Sequence, residues 1–166
     1  MSDLYELQLA LDFPDSLPEA DLGLLRWHLG QGGDAASTET GETDEVDGVG
    51  EGEETDEAAA MEAYPLLSSK GAAHRVGGAL VGELCRGPRG WALTARQEVH
   101  PDEFDDLQGL LAWLASRTTT IGAIGCLRFY ESDVPEVLIA DSGRARRLVL
   151  RAAGPARDDV FSLGLD

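Results

Sequence analysis

An α+β fold, with an antiparallel sheet carrying two helices on one face, follows from three observations on this sequence. The first is a repeat. Sliding the chain 86 positions without a gap places Gly23-Leu24-Leu25-Arg26-Trp27 on Gly109-Leu110-Leu111-Ala112-Trp113, and Tyr5, Leu7, Leu9 and Phe13 on Trp91, Leu93, Ala95 and Val99. The second is that the apolar period within each copy changes from two to between three and four, the signature of a strand followed by a helix. The third is compositional: Gln31 to Glu62 holds twelve Asp and Glu and no Lys or Arg.

The elements follow in order. Leu4 to Phe13 alternates, with Tyr5, Leu7, Leu9, Leu11 and Phe13 on one side and Glu6, Gln8, Ala10 and Asp12 on the other, which predicts a strand covered on one face. Ser16-Leu17-Pro18-Glu19 reads as a capping box with Pro in the first turn. The helix it opens buries Leu22, Leu25 and Leu29 and stops at Gly30. Gln31 to about Ala58 is too poor in apolar groups to offset the cost of ordering its backbone, about 1 to 2 kcal/mol per residue, and is expected to be disordered. Ala58 to Leu67 is expected to add a short helical turn before Pro65.

Gly78 to Cys85 is the next strand, Arg86-Gly87-Pro88-Arg89-Gly90 a hairpin turn, and Trp91 to Val99 its partner, with Gln97 the one misfit on the inward face. His100-Pro101-Asp102-Glu103 starts a second helix, whose buried stripe is Phe104, Leu107, Leu110, Leu111 and Leu114. Ile121 to Tyr130 is a strand, and Glu136 to Ala140 with Arg144 to Arg151 a carboxy-terminal hairpin; residues 152–166 read as a flexible tail.

This order is the split βαβ arrangement, ferredoxin-like βαββαβ in topology, plus the hairpin. Val81-Gly82-Glu83-Leu84 matches Ile124-Gly125-Cys126-Leu127 at an offset of 43 instead of 86, so the first half carries 43 extra residues between its helix and its closing strand. Composition and repeat thus place an acidic insertion at 31–62 within one domain spanning 1–166. Cys85 and Cys126 lie on strands separated by two others, about 14 Å apart, beyond the reach of a disulfide, so both thiols are expected to be free.

Of the net charge of −18, twelve negative charges fall in Gln31 to Glu62, which leaves −6 for the rest of the chain. A local negative field repels phosphate backbones and favours a protein partner with a basic surface. RNA recognition on this topology needs aromatic residues on the exposed face of the central strands, where the alternation instead puts Ala92, Thr94 and Arg96. No run is long and apolar enough for a membrane span, and Met1-Ser2-Asp3 has neither the basic start nor the apolar core of a signal peptide, so a cytoplasmic location is expected.

On the open sheet face, Arg96, Arg128 and Tyr130 form a candidate binding cluster, since guanidinium forks recognise carboxylates, with His100 at its margin. The acidic loop offers Asp44, Glu45, Asp47, Glu51, Glu53 and Glu54 as an interaction surface. Thr43 to Glu54 only faintly resembles a calcium loop, because Thr43 stands where Asp is required. No catalytic residue, metal ligand or cofactor is assigned.

Two functions are carried forward. The leading one is a non-catalytic protein-interaction module, of the inhibitor or immunity type, acting through the acidic loop. The alternative is a small enzyme or ligand-binding protein of the dimeric α+β barrel type, a homodimer through the open sheet face.

Overall fold

A computed structural model describes residues 3–31 and 64–150. It contains β1 (Tyr5–Pro14), α1 (Glu19–His28), β2 (Gly71–Ala72), β3 (Ala79–Gly87), β4 (Gly90–Val99), α2 (Phe104–Arg117), β5 (Gly122–Phe129), β6 (Glu136–Asp141) and β7 (Arg144–Leu148). The strands form one sheet in the order β2-β3-β4-β1-β5-β6-β7, every neighbouring pair antiparallel. The two expected helices and six expected strands form, the last ending at Leu148 short of the expected Arg151; the two-residue β2 is additional. All but Gln31 of the insertion expected at 31–62, residues 58–63 of the helical turn expected over Ala58 to Leu67, and the tail at 152–166 lie outside the described residues; the described part of that turn, 64–67, is not helical.

Alternation on β1 sends Leu7, Leu9, Leu11 and Phe13 to one face, where they join Leu22, Leu25 and Leu29 of the first helical segment and Leu107, Leu110, Leu111 and Leu114 of α2 in one cluster. Both helices therefore cover the same side of the sheet. Arg117 at the end of α2 reaches Asp21 in the first turn of α1 at 2.8 Å, so the two helices run antiparallel.

The strand registers carry the internal repeat. On one flank Gly82, Glu83 and Leu84 of β3 pair with Ala95, Thr94 and Leu93 of β4. On the other, Gly125, Cys126 and Leu127 of β5 pair with Leu9, Gln8 and Leu7 of β1. The offsets of 43 and 86 convert one set of pairs into the other without a shift. In between, Leu9 pairs with Ala95, its own counterpart in the repeat. A local two-fold axis thus passes between β1 and β4 at Leu9 and Ala95.

Two local readings are refined. Ser16 does not cap α1: no side chain does, and the helix enters through Pro18, whose carbonyl accepts the Leu22 N–H at 3.0 Å. Proline fixes φ near the helical value, which removes part of the need for a cap. At the other end Gly30 has φ +69° and donates to the Trp27 carbonyl, while the Gln31 N–H reaches Arg26, the paired closure that a left-handed glycine permits.

Gln97, the misfit of the inward face, is 1 % exposed and fully engaged. Its Nε2 donates towards the carbonyls of Val81 at 2.8 Å, Ser69 at 3.1 Å and Leu67 at 3.2 Å, and its Oε1 accepts the Ser69 N–H at 3.1 Å. It fastens residues 67–69 to the sheet, with Leu66 and Leu67 buried in the core. Gly82 is required at this point, because a Cβ there would collide with the Leu67 carbonyl oxygen.

Candidate functional site

The face of the sheet away from the helices holds a charge cluster built on β1, β4 and β5. Glu6 stands directly opposite Glu98 on one side and Arg128 on the other, and Arg96 is opposite Gln8. Two carboxylates directly across from each other repel. Each is compensated separately.

Glu6 is 3 % exposed. Its Oε1 accepts from Arg96 Nε at 2.7 Å and Gln8 Nε2 at 2.8 Å, and its Oε2 from Arg128 Nη2 at 2.7 Å and Nε at 3.0 Å. Glu98 accepts three successive backbone N–H groups, those of His74, Arg75 and Val76, at 2.9, 2.6 and 3.0 Å. Burial alone pushes both carboxyls up, but these hydrogen bonds outweigh it, and both end below the usual carboxylate range.

The cluster is also covered. Arg96 donates through Nη1 to Ala79 and through Nη2 to Val76, so residues 73–79 are held close to the sheet. Gly78, at φ +68°, leaves the space that the Arg96 guanidinium fills. Arg75 places its guanidinium 5.3 Å from the centre of the Tyr130 ring, and the Tyr130 hydroxyl donates to Glu131. Arg128 Nη1 donates to the Ser132 carbonyl. Cys126, across from Gln8, has its thiol pushed up by burial and then by the Glu6 charge, which keeps it protonated and a poor nucleophile.

Arg96 and Arg128 therefore converge as the alternation implied, but they converge on Glu6. Tyr130 joins the cluster through Arg75. His100 caps the Pro101–Glu103 turn ahead of α2: its Nδ1 accepts the Asp102 N–H, and its own N–H donates to Glu103 at 2.6 Å. The acidic residues Asp44, Glu45, Asp47, Glu51, Glu53 and Glu54 lie outside the described residues. Cys85 and Cys126 are both free. Among the described residues no group of His, Cys, Asp and Glu is arranged to hold a metal ion, and no helix is long and apolar enough to cross a membrane.

A second feature, which the sequence reading did not single out, lies on the helical side. A groove of about 830 Å³ lies between α1 and α2, with Gly23, Leu24, Trp27, Leu66, Gly109, Leu110 and Trp113 in its lining. Three pairs among them, Gly23 with Gly109, Leu24 with Leu110 and Trp27 with Trp113, are repeat counterparts, so both helices contribute the same motif to the lining. The repeated Gly-Leu-Leu-x-Trp is the sequence signal that marks the groove. Asp105 and Asp106 stand at the groove and have no basic partner within ion-pair distance among the described residues. His28 also lines it, 7 % exposed, with a buried Nδ1 that has no hydrogen-bond partner among the described residues.

A smaller cavity of about 380 Å³ lies between α2 and the β6–β7 hairpin. The arginines at its mouth, Arg146 and Arg147, are paired with Asp141 and Glu136.

No protein-family model matches the sequence, and comparisons with curated proteins and with solved structures found no match.

Proposed function

We propose that this chain is a protein-interaction module that captures a partner with a basic surface, in the manner of a small inhibitor or immunity-type protein. The inner strands β3-β4-β1-β5, with α1 joining β1 to β3 and α2 joining β4 to β5, support a ferredoxin-like core extended by β2 on one edge and by β6–β7 on the other. That topology serves many functions, so the functional reading rests on the charges.

One observation carries it: the arginines at the centre of the sheet face, Arg96 and Arg128, are engaged internally, while the chain carries a net negative charge concentrated in one stretch of its sequence. Glu6 takes up Arg96 and Arg128. The sequence from 31 to 62 holds twelve acids without a single base, and among the described residues Asp105 and Asp106 are acids that make no ion pair. Such a distribution accelerates encounter with a basic surface and weakens as salt screens it. The alternative, a homodimeric barrel closing over Arg96, Arg128, Tyr130 and His100, is less well supported, because the donors it would use already serve Glu6, Val76, Ala79 and Ser132.

The test is deletion of Gly32 to Thr55 followed by capture from native lysate at low and high salt. The proposal expects an unchanged melting temperature and loss of the salt-sensitive capture. Capture retained in full by the deletion variant would remove the acidic segment from the mechanism.

A further inference from the structure

Folding by itself does not account for the groove between α1 and α2. Gly23 and Gly109 sit inside helices, where glycine is disfavoured relative to alanine. Neither is needed for close packing, since a Cβ at either position would meet nothing within 4 Å. Their effect is to leave out the side chains that would otherwise fill the space between Trp27 and Trp113. The space left is large enough for several side chains, within the roughly 300 to 1,000 Å³ range of ligand-holding clefts.

The lining shows what would fit. His28 belongs to it, more than nine-tenths buried, with its Nδ1, unpartnered among the described residues, shielded from the open space. Asp105 and Asp106, in the first turn of α2, make no ion pair among the described residues and line the same groove as Trp27 and Trp113, whose ring faces attract cations. Leu24, Leu66 and Leu110 add aliphatic surface. We infer that this groove docks a segment of a partner protein that presents aliphatic side chains next to lysine or arginine. This rests on the reading of the chain as an interaction module and adds a second contact to it: the paired helices hold a segment of the partner, while the acidic segment supplies the salt-sensitive attraction that gathers the whole partner.

The experiment titrates a synthetic amphipathic leucine–lysine peptide into the full chain, followed by tryptophan fluorescence. A leucine–glutamate peptide of the same pattern is the control. Three variants are compared with the parent: Gly23→Leu with Gly109→Leu, which fills the groove; Asp105→Asn with Asp106→Asn, which neutralises its rim without touching the core; and deletion of Gly32 to Thr55. The inference expects saturable binding of the lysine peptide alone, retained by the deletion variant. It expects dissociation constants about tenfold or more higher in the filled variant, at an unreduced melting temperature. The neutralised variant should bind several-fold more weakly, with a flatter salt dependence. Should the filled variant prove unfolded, the neutralised one decides.

Parent-like binding by a folded filled variant overturns the inference, as does parent-like binding by the neutralised variant. If only the deletion abolishes binding, capture belongs to the acidic segment: the groove inference fails and the interaction-module reading stands. If the parent binds neither peptide and instead self-associates in a way the filled variant loses, the groove is a contact between copies, and the inference is equally overturned.

Discussion

Replacing Glu6 with glutamine tests the charge cluster most severely for the smallest change in shape. The substitution keeps the side-chain length and removes the charge that both Arg96 and Arg128 contact. Removing one partner of a fully buried ion pair costs about 3 to 5 kcal/mol. The side chains of Arg96 and Arg128 are 23 % and 28 % exposed, so water recovers part of their solvation, and a cost of about 2 kcal/mol is expected. With a urea slope of about 1 to 3 kcal/mol per molar for a domain of this size, the unfolding midpoint should fall by about 1 M.

The pH dependence supplies a second reading of the same variant. The Glu6 carboxyl is held below its unfolded value of about 4.3, so its contribution is complete above that pH and is lost as the pH falls through the lower folded value. Parent and Glu6→Gln should therefore differ at pH 7 and converge as the pH drops below about 4. Urea unfolding followed by tryptophan fluorescence at both values measures this. A companion triple variant, Glu6→Leu with Arg96→Met and Arg128→Met, should cost less than Glu6→Gln alone, since it leaves no charge behind. A Glu6→Gln deficit below about 0.5 kcal/mol, or one that is equal at both pH values, would refute the reasoning.

Three other outcomes are expected. Gly23→Ala and Gly109→Ala should each raise stability by about 0.5 to 1 kcal/mol in thermal unfolding, because the added methyl meets no obstacle and the helix gains propensity. Gln97→Leu should lower stability by about 2 to 3 kcal/mol in the same assay, since it strips partners from the backbone of Leu67, Ser69 and Val81 inside the core. Burial lowers the His28 pKa, so unfolding takes up a proton once the pH falls below the unfolded value of about 6.5; stability should decline between pH 7.5 and 5.5, and His28→Phe should flatten that slope.

Most of the fold was legible because it is written in two periods. The alternation of Tyr5 to Phe13 and of Trp91 to Val99, and the Leu stripes at 22–29 and 107–114, each determine a face, and the gapless repeat ties the two halves together. What escaped the reading depends on contacts between distant segments. Glu6 looked like one more residue of a solvated face, since nothing in an alternating strand tells that a carboxylate will be buried by arginines 90 and 122 positions away. Gln97 broke the inward pattern visibly, but of its partners at 67, 69 and 81 the first two belong to a segment without a period of its own. β2 is two residues long and is fixed by pairing with β3 rather than by its sequence. The groove was half visible: glycine and tryptophan at the same places in both repeats marked it, but only the placement of both helices on one side of the sheet brings the two copies to the same groove.

The central claim is that the helical side of the molecule is open for docking while the polar sheet face is closed. An NMR titration with the leucine–lysine peptide, reading the indole N–H signals of Trp27, Trp91 and Trp113 and the Nε–H signals of Arg96 and Arg128, tests both halves at once. The account predicts that Trp27 and Trp113 move together and saturate while Trp91 and the two arginines stay in place. Movement confined to Arg96 and Arg128, with Trp27 and Trp113 unmoved, would contradict it.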